Sequence, residues 1–267
     1  MAKLLVNGVG IDYLMQGEGM PFVLLHGWSI SKETFQTQIR EFARRFRVIA
    51  LDHRGMGDSD KPPMDIIPLR TMADDLHGLL EKLHVKEKII LLGHSMGGHV
   101  AQEFAINYPE KMETLILYGT QATAKHLMID LDALLKTVEE QEWKVAVQWI
   151  APSFFALGTD PNLIETAIQQ LLKTPPSLAA AALKGIIQCD TTARLHTIKA
   201  PTLILSGERD VGNPPFKSSF FLHEAIPNST LRILKKCGHM AHVERPEYFN
   251  QALTEFLFGV LKQSQQT

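Results

Sequence analysis

Cysteine is scarce in this 267-residue chain: Cys189 and Cys237 are the only two, far apart and without metal-type spacing. That excludes a disulfide framework and a cysteine-rich zinc site. Two free thiols in a reducing compartment are the expected state, with a single bridge left open. No apolar run approaches the roughly 20 residues that would span a bilayer. The run at Leu4-Leu5-Val6 is too short for a secretory signal and reads as a strand entering a turn at Asn7-Gly8. An excess of one charge is missing as well. The 27 Lys and Arg nearly balance 29 Asp and Glu, a formal net charge of −2, which gives no reason to expect nucleic acid or a membrane as partner. Repeats and low-complexity stretches are absent. What remains, with 45% hydrophobic and 21% charged residues, is the composition of a soluble, cytoplasmic globular protein. At this length an α/β chain commonly keeps one core.

The most informative stretch is Ile89-Ile90-Leu91-Leu92-Gly93-His94-Ser95-Met96-Gly97-Gly98. A short apolar run ends in Gly-x-Ser-x-Gly and passes into a helical pattern at Val100, Ala101, Phe104 and Ala105, which Pro109 stops. A serine wedged between strand and helix in so tight a turn is expected in a strained backbone conformation. Glycines two residues either side leave room for the chain to reverse. The turn lifts the hydroxyl toward solvent and aims the free N–H groups of the helix start at the same spot.

Around this stretch the chain alternates strand and helix. Leu4–Val6 and Ile11–Met15 read as an opening hairpin, Phe22–Leu25 as a buried strand, and Thr34 to Phe46 as a helix. Arg47–Leu51 and Thr114–Tyr118 are further strands, and Pro68 opens a helix with Leu69, Met72, Leu76, Leu79, Leu80 and Leu83 on one face. From about Gln121 to Thr197 no convincing strand occurs. Leu127, Leu131, Leu134, Leu135 and Val138 are helix-spaced, as are Ile164, Ile168, Leu171 and Leu172 behind an Asp160-Pro161 start signal. Alternation returns with Thr202–Ser206, a helix over 216–225, Thr230–Leu234 and a final helix from Pro246. The expected fold is α/β: a mostly parallel central sheet with helices on both faces. Residues 1–120 and 198–267 form the core, and 121–197 form a helical lid over the C-terminal strand edge, where open α/β sheets bind ligands.

The strand–Gly-x-Ser-x-Gly–helix stretch resembles the nucleophile elbow of the α/β-hydrolase family. The resemblance extends to His26-Gly27-Trp28, to Asp52-His53-Arg54-Gly55-Met56-Gly57-Asp58-Ser59, to Gly207-Glu208-Arg209-Asp210 and to Gly238-His239. It implies a Ser–acid–His triad with Ser95 as nucleophile, Asp210 as the acid and His239 as the base. It also implies an oxyanion hole from the backbone N–H groups of Met96 and Trp28. Glu208 and His242 are weighed as alternatives; Glu208 sits nearer its strand and suits a surface role, and His242 does not directly follow the glycine. Asp52 is expected to brace strand ends, and His94 to point into the core with no catalytic role. The other histidines are too scattered to suggest a metal, and no cofactor is implied.

Family members with an aspartate at the elbow, dehalogenases and epoxide hydrolases, do not match Ser95. The expected activity is hydrolysis of a small to medium, largely apolar carboxylic ester or lactone through an acyl-enzyme. The expected partner is that small molecule, and self-association is left open. Alternatives are carbon–carbon bond hydrolysis of ring-cleavage products, the haloperoxidase-type branch, whose His-Gly-x turn usually continues with proline where Ser29 stands here, and a small-molecule receptor on the same fold. Lys125, Lys136, Lys144, Lys173, Lys184 and Arg194 are the cations of the lid available to hold a dioate.

Overall fold

A computed structural model describes residues 2–264. Strands β1 (Ala2–Val6) and β2 (Val9–Gln16) form the expected hairpin, with Asn7 and Gly8 both at positive φ in the two-residue turn. The chain continues through β3 (Pro21–Leu25), α1 (Gln36–Phe42), β4 (Arg47–Leu51), α2 (Leu69–Lys82), β5 (Ile89–His94), α3 (Met96–Asn107) and β6 (Met112–Tyr118). Then come α4 (Leu131–Glu140), α5 (Trp143–Ile150), α6 (Pro161–Leu171) and α7 (Pro176–Gln188) with no strand between them. The sequence closes with β7 (Thr202–Gly207), α8 (Ser219–Ala225), β8 (Ser229–Leu234), the single turn α9 (Ala241–Glu244) and α10 (Pro246–Ser264).

The strands make one eight-stranded sheet of order β1-β2-β4-β3-β5-β6-β7-β8, parallel from β4 to β8. Successive side chains of a strand point to opposite faces, so a strand covered on both sides must be apolar throughout. β5 demonstrates this: Ile89 and Leu91 pack on one face with α2 and α3, while Ile90 and Leu92 pack on the other with α1 and α10. The parallel register carries the C-terminal ends of β3, β5, β6 and β7 to one rim, where the candidate site lies.

Two boundaries differ from the sequence expectation. The helix expected over 34–46 is a 3-10 turn at Lys32–Phe35 followed by a short α1, because Phe35 has non-helical φ/ψ. Its C-terminal end loosens into turn bonds from Arg45 and Phe46 to the Phe42 carbonyl as the chain reverses into β4. The helix expected from Phe216 begins at Ser219, because Pro214 O is bonded instead by the N–H groups of Lys217 and Ser218 and by the Ser218 hydroxyl.

The loop after β4 braces the rim as expected. Asp52, fully buried, accepts from the Lys32 backbone N–H at 2.7 Å, the Lys32 ammonium at 2.7 Å and the Asp58 N–H at 2.8 Å. Arg54 grips Asp75 of α2 with two bonds of 2.5 and 2.6 Å. Asp12, Asp52 and Asp58 cluster closely enough to hold a cation, but the Lys32 ammonium stands among them at 2.5, 2.7 and 3.6 Å. Burial lowers the Lys32 pKa, but its bonds and charge contacts with Asp12 and Asp52 outweigh that and hold it above its ordinary value. Lys32→Met therefore leaves two buried carboxylates without their cation and is expected to destabilise the fold by about 3–5 kcal/mol. Urea denaturation measures this, and a loss under about 1 kcal/mol contradicts it.

Candidate active site

β5 delivers Ser95 to the rim, and Ser95 adopts φ 55, ψ −119, a conformation unusual for a residue with a side chain. The flanking glycines make the turn possible. A Cβ on Gly93 would run into the Gly97 carbonyl, and one on Gly97 would lie 2.5 Å from Leu25 O and 2.6 Å from His26 O. The helix start thus sits directly on the end of β3. Ser95 N–H donates to Tyr118 O at 2.9 Å, tying the elbow to β6. The Ser95 hydroxyl, partly exposed, has no hydrogen-bond partner among the described residues and borders a cavity of about 430 Å³.

Asp210 and His239, 29 positions apart, meet at that cavity: His239 Nδ1–H donates to Asp210 Oδ2 at 2.6 Å. Asp210 is buried in the turn after β7, where its other oxygen accepts from Asn213 N–H at 3.0 Å. Burial pulls the His239 pKa down, but the Asp210 charge and hydrogen bond, aided by the Glu244 charge, prevail and raise it above the ordinary histidine value. The bonded Nδ1 fixes the tautomer, which leaves Nε2 as the acceptor in the neutral ring.

The loop carrying His239 is held from three sides. Tyr118, at the end of β6, donates its hydroxyl to His239 O at 2.5 Å and accepts from Ala241 N–H. His94 Nε2–H also donates to His239 O at 3.0 Å, and its ring lies 4.7 Å from the His239 ring. His94 is buried as expected and additionally positions this loop. Glu244 accepts from Gly238 N–H and Ala156 N–H, pinning the loop to the segment after α5. Asn213 Nδ2 donates to Gly119 O at 2.6 Å and Gln121 Oε1 at 2.8 Å, joining the acid turn to the end of β6.

Trp28 lies beside the elbow in the cavity wall, and its indole N–H donates to Ala179 O of α7 at 2.8 Å. Its backbone N–H has no partner among the described residues, and Met96 N–H is one of the free donors at the start of α3. Both belong to residues bordering the same cavity as Ser95.

The alternatives sit elsewhere. Glu208 is exposed and accepts from Lys236 N–H at 2.9 Å. The His242 ring is buried against Phe35 and bonds the Thr34 hydroxyl at 2.9 Å, and burial depresses its pKa to about 3. His26 is satisfied at both nitrogens, by Gly27 O and His53 N–H.

Apolar side chains from the 121–197 segment supply much of the cavity wall, among them Leu131, Leu134, Phe154, Leu183 and Ile186. Leu127 lies in the loop before α4 rather than in a helix, because Asp130 caps that helix by accepting from Ala133 N–H at 2.9 Å. Among the described residues no lysine or arginine lines the cavity. Lys136, Lys173, Lys184 and Arg194 are instead paired with Glu140, Glu33, Glu139 and Glu103.

A parallel sheet with a strained serine at a strand–helix turn and an Asp–His pair at the same rim defines an α/β hydrolase. The alpha/beta hydrolase fold family model matches residues 20–246, and the chain belongs to that family of enzymes. It is 30% identical over 253 residues to the AB hydrolase superfamily protein YisY of Bacillus subtilis, covering 90% of this chain and 92% of that one. It is 29% identical over 261 residues to a 2-hydroxy-6-oxo-6-phenylhexa-2,4-dienoate hydrolase of Comamonas testosteroni, covering 92% and 91%. Among solved structures, a thermophilic esterase from Thermogutta terrifontis superposes with a TM-score of 0.88 at 30% identity, covering 97% of this chain and 98% of that one. No helix among the described residues is long and apolar enough to cross a membrane.

Proposed function

We propose that the protein is a serine hydrolase of carboxylic esters or lactones whose substrate is small to medium and largely apolar. The observation that carries this reading is the 2.6 Å Asp210–His239 bond at the cavity that also borders the positive-φ Ser95. Neutral His239 Nε2 takes the proton from Ser95 Oγ as that oxygen bonds to the acyl carbon. Asp210 holds the ring and stabilises its cation. The oxyanion is received by the N–H groups of Met96 and Trp28. The bond to the leaving alcohol breaks as His239 returns the proton, and a water activated by His239 then releases the acid. The hydrogen bond between serine and imidazole in such sites often tightens only when substrate is bound.

Residues 121–197 act in this reading as a lid over a core made of 1–120 and 198–267, and they select the substrate by contributing an apolar wall. The related dienoate hydrolase supports carbon–carbon cleavage as the second reading. The lack of a lysine or arginine in the described cavity wall disfavours it, because a dioate needs a charge partner when buried.

The pH profile of aryl-ester hydrolysis tests the assignment. Catalysis needs neutral His239, and its raised pKa places the acid limb of kcat/KM above the ordinary value of about 6.5. Activity is therefore expected to rise from pH 6 to 8. Asp210→Asn removes the larger of the charges that raise the pKa and leaves only that of Glu244, so its limb moves to lower pH while the rate falls about 10³–10⁴-fold. A profile flat from pH 6 to 8 rules His239 out as base.

A further inference from the structure

His99 is a buried polar residue of the cavity wall with no role in the proton transfer above. In α3, Gly97 lies against the end of β3, and Gly98 lies against Thr120 after β6. Ser95, the N-cap, and Met96 precede His99 by four and three residues, and these are the residues by which the helix start borders the cavity. His99 is fully buried, yet neither Nδ1 nor Nε2 has a hydrogen-bond partner. Nearby α7 offers Leu183 and Ile186 to the same wall, neither of which can satisfy the ring, and Asp190 acts on it through its charge without a hydrogen bond. Buried polar groups almost always find a partner, so a ring left with two open nitrogens beside a cavity is short of one.

We propose that His99 is a specificity-determining residue that hydrogen-bonds a hydroxyl or keto oxygen on the acyl chain of the substrate, about one helical turn from the acyl carbon. Four residues separate His99 from Ser95, and at 1.5 Å per residue the oxygen lies roughly 6 Å further along the cavity. The substrate class is an oxoacyl or hydroxyacyl ester, or a lactone of such an acid. Burial depresses the His99 pKa to about 4, so the ring is neutral at pH 7 and offers one donor and one acceptor. A neutral oxygen suits it, whereas a carboxylate would find no balancing charge. This inference rests on the reading that Ser95 is the residue acylated.

The test compares 4-nitrophenyl 5-oxohexanoate with 4-nitrophenyl hexanoate, which differ by one oxygen at the required distance. In the wild-type enzyme kcat/KM for the oxo ester is expected to exceed that for the plain ester about tenfold, the size of one net hydrogen bond, chiefly through KM. His99→Leu is expected to bring the ratio to about one, and His99→Gln, which keeps a donor and an acceptor, to leave an intermediate value. A wild-type ratio near one, or a ratio unchanged in His99→Leu, overturns the proposal. Should the leucine variant fail to fold, the wild-type and glutamine ratios decide. Failure to hydrolyse either ester would instead remove the ester reading beneath it.

Discussion

Ser95→Ala is expected to lower kcat/KM for an aryl ester by a factor on the order of 10⁴–10⁶, with the melting temperature nearly unchanged. The size follows from the role. Without the hydroxyl no acyl-enzyme forms, and what remains is the aid of the oxyanion donors and of binding to a direct attack by water. The stability expectation follows from the geometry. The Ser95 hydroxyl has no hydrogen-bond partner among the described residues, so its removal orphans no protein group. Alanine and serine also share the strain of φ 55 at this turn. Aryl-ester kinetics and a thermal melt on the same preparation measure both quantities. A variant that keeps a tenth of the wild-type rate cannot be reconciled with serine catalysis. A variant that loses both rate and melting temperature would place Ser95 among the structural residues.

The second large effect is acid unfolding, to which the buried histidines contribute strongly. His26, His53, His94, His99 and His242 are all buried to within about 1% exposure. Burial, the leading cause in each, depresses their pKa values to about 4 for His26 and His99, about 3 for His242, and well below the ordinary value for His53 and His94. In the unfolded chain these rings take up protons near pH 6.5, while in the fold His26, His99 and His242 remain neutral to about 4 or lower and burial holds His53 and His94 well below their ordinary value. Their contribution is therefore complete above about pH 6.5 and is lost as pH falls toward 4, at roughly 1.4 kcal/mol per ring per pH unit. His239 acts in the opposite sense. Its raised pKa contributes stability that is full below the unfolded value and disappears as pH rises through the folded one. One such ring against five leaves a steep net loss, and against a total stability of about 5–15 kcal/mol the protein is expected to unfold near pH 5. Urea titrations at pH 7.5, 6.5 and 5.5 follow the decline, with several kcal/mol lost between the last two. Equal stability at pH 7.5 and 5.5 would contradict the neutral burial of these rings.

The parts of the fold and site legible in the sequence are those encoded locally. Ser95 could be located because Gly93, Gly97, the apolar run before and the helical pattern after all lie within a few residues of it. Asp210 and His239 could be proposed because Gly207-Glu208-Arg209-Asp210 and Gly238-His239 resemble the acid and base turns of the family, each a short turn after a strand of the parallel set that ends on one rim. The residues that hold them were not legible. Tyr118 reaches His239 across 121 positions, His94 across 145, and Asn213 reaches Gly119 across 94, so no local pattern announces them. His99 counts in the sequence only among the scattered histidines, since its unpartnered nitrogens become evident only in the folded chain. Helix limits also escaped where tertiary contacts set them. The apolar spacing runs on to Phe46, yet the chain must turn at Phe42 to enter β4. The same holds for Leu127, which keeps helical spacing while lying in the loop that Asp130 terminates.

Ser95 as the acyl acceptor underlies the triad roles and the specificity assigned to His99. Mixing the enzyme with a 4-nitrophenyl ester, quenching in acid within milliseconds and mapping the digested peptides by mass tests it most directly. The expected result is one acyl group per chain, on the peptide containing Ser95, appearing with the first turnover and disappearing as ester is exhausted. Steady release of nitrophenolate with no acylated peptide, or with the acyl group on another side chain, would contradict it.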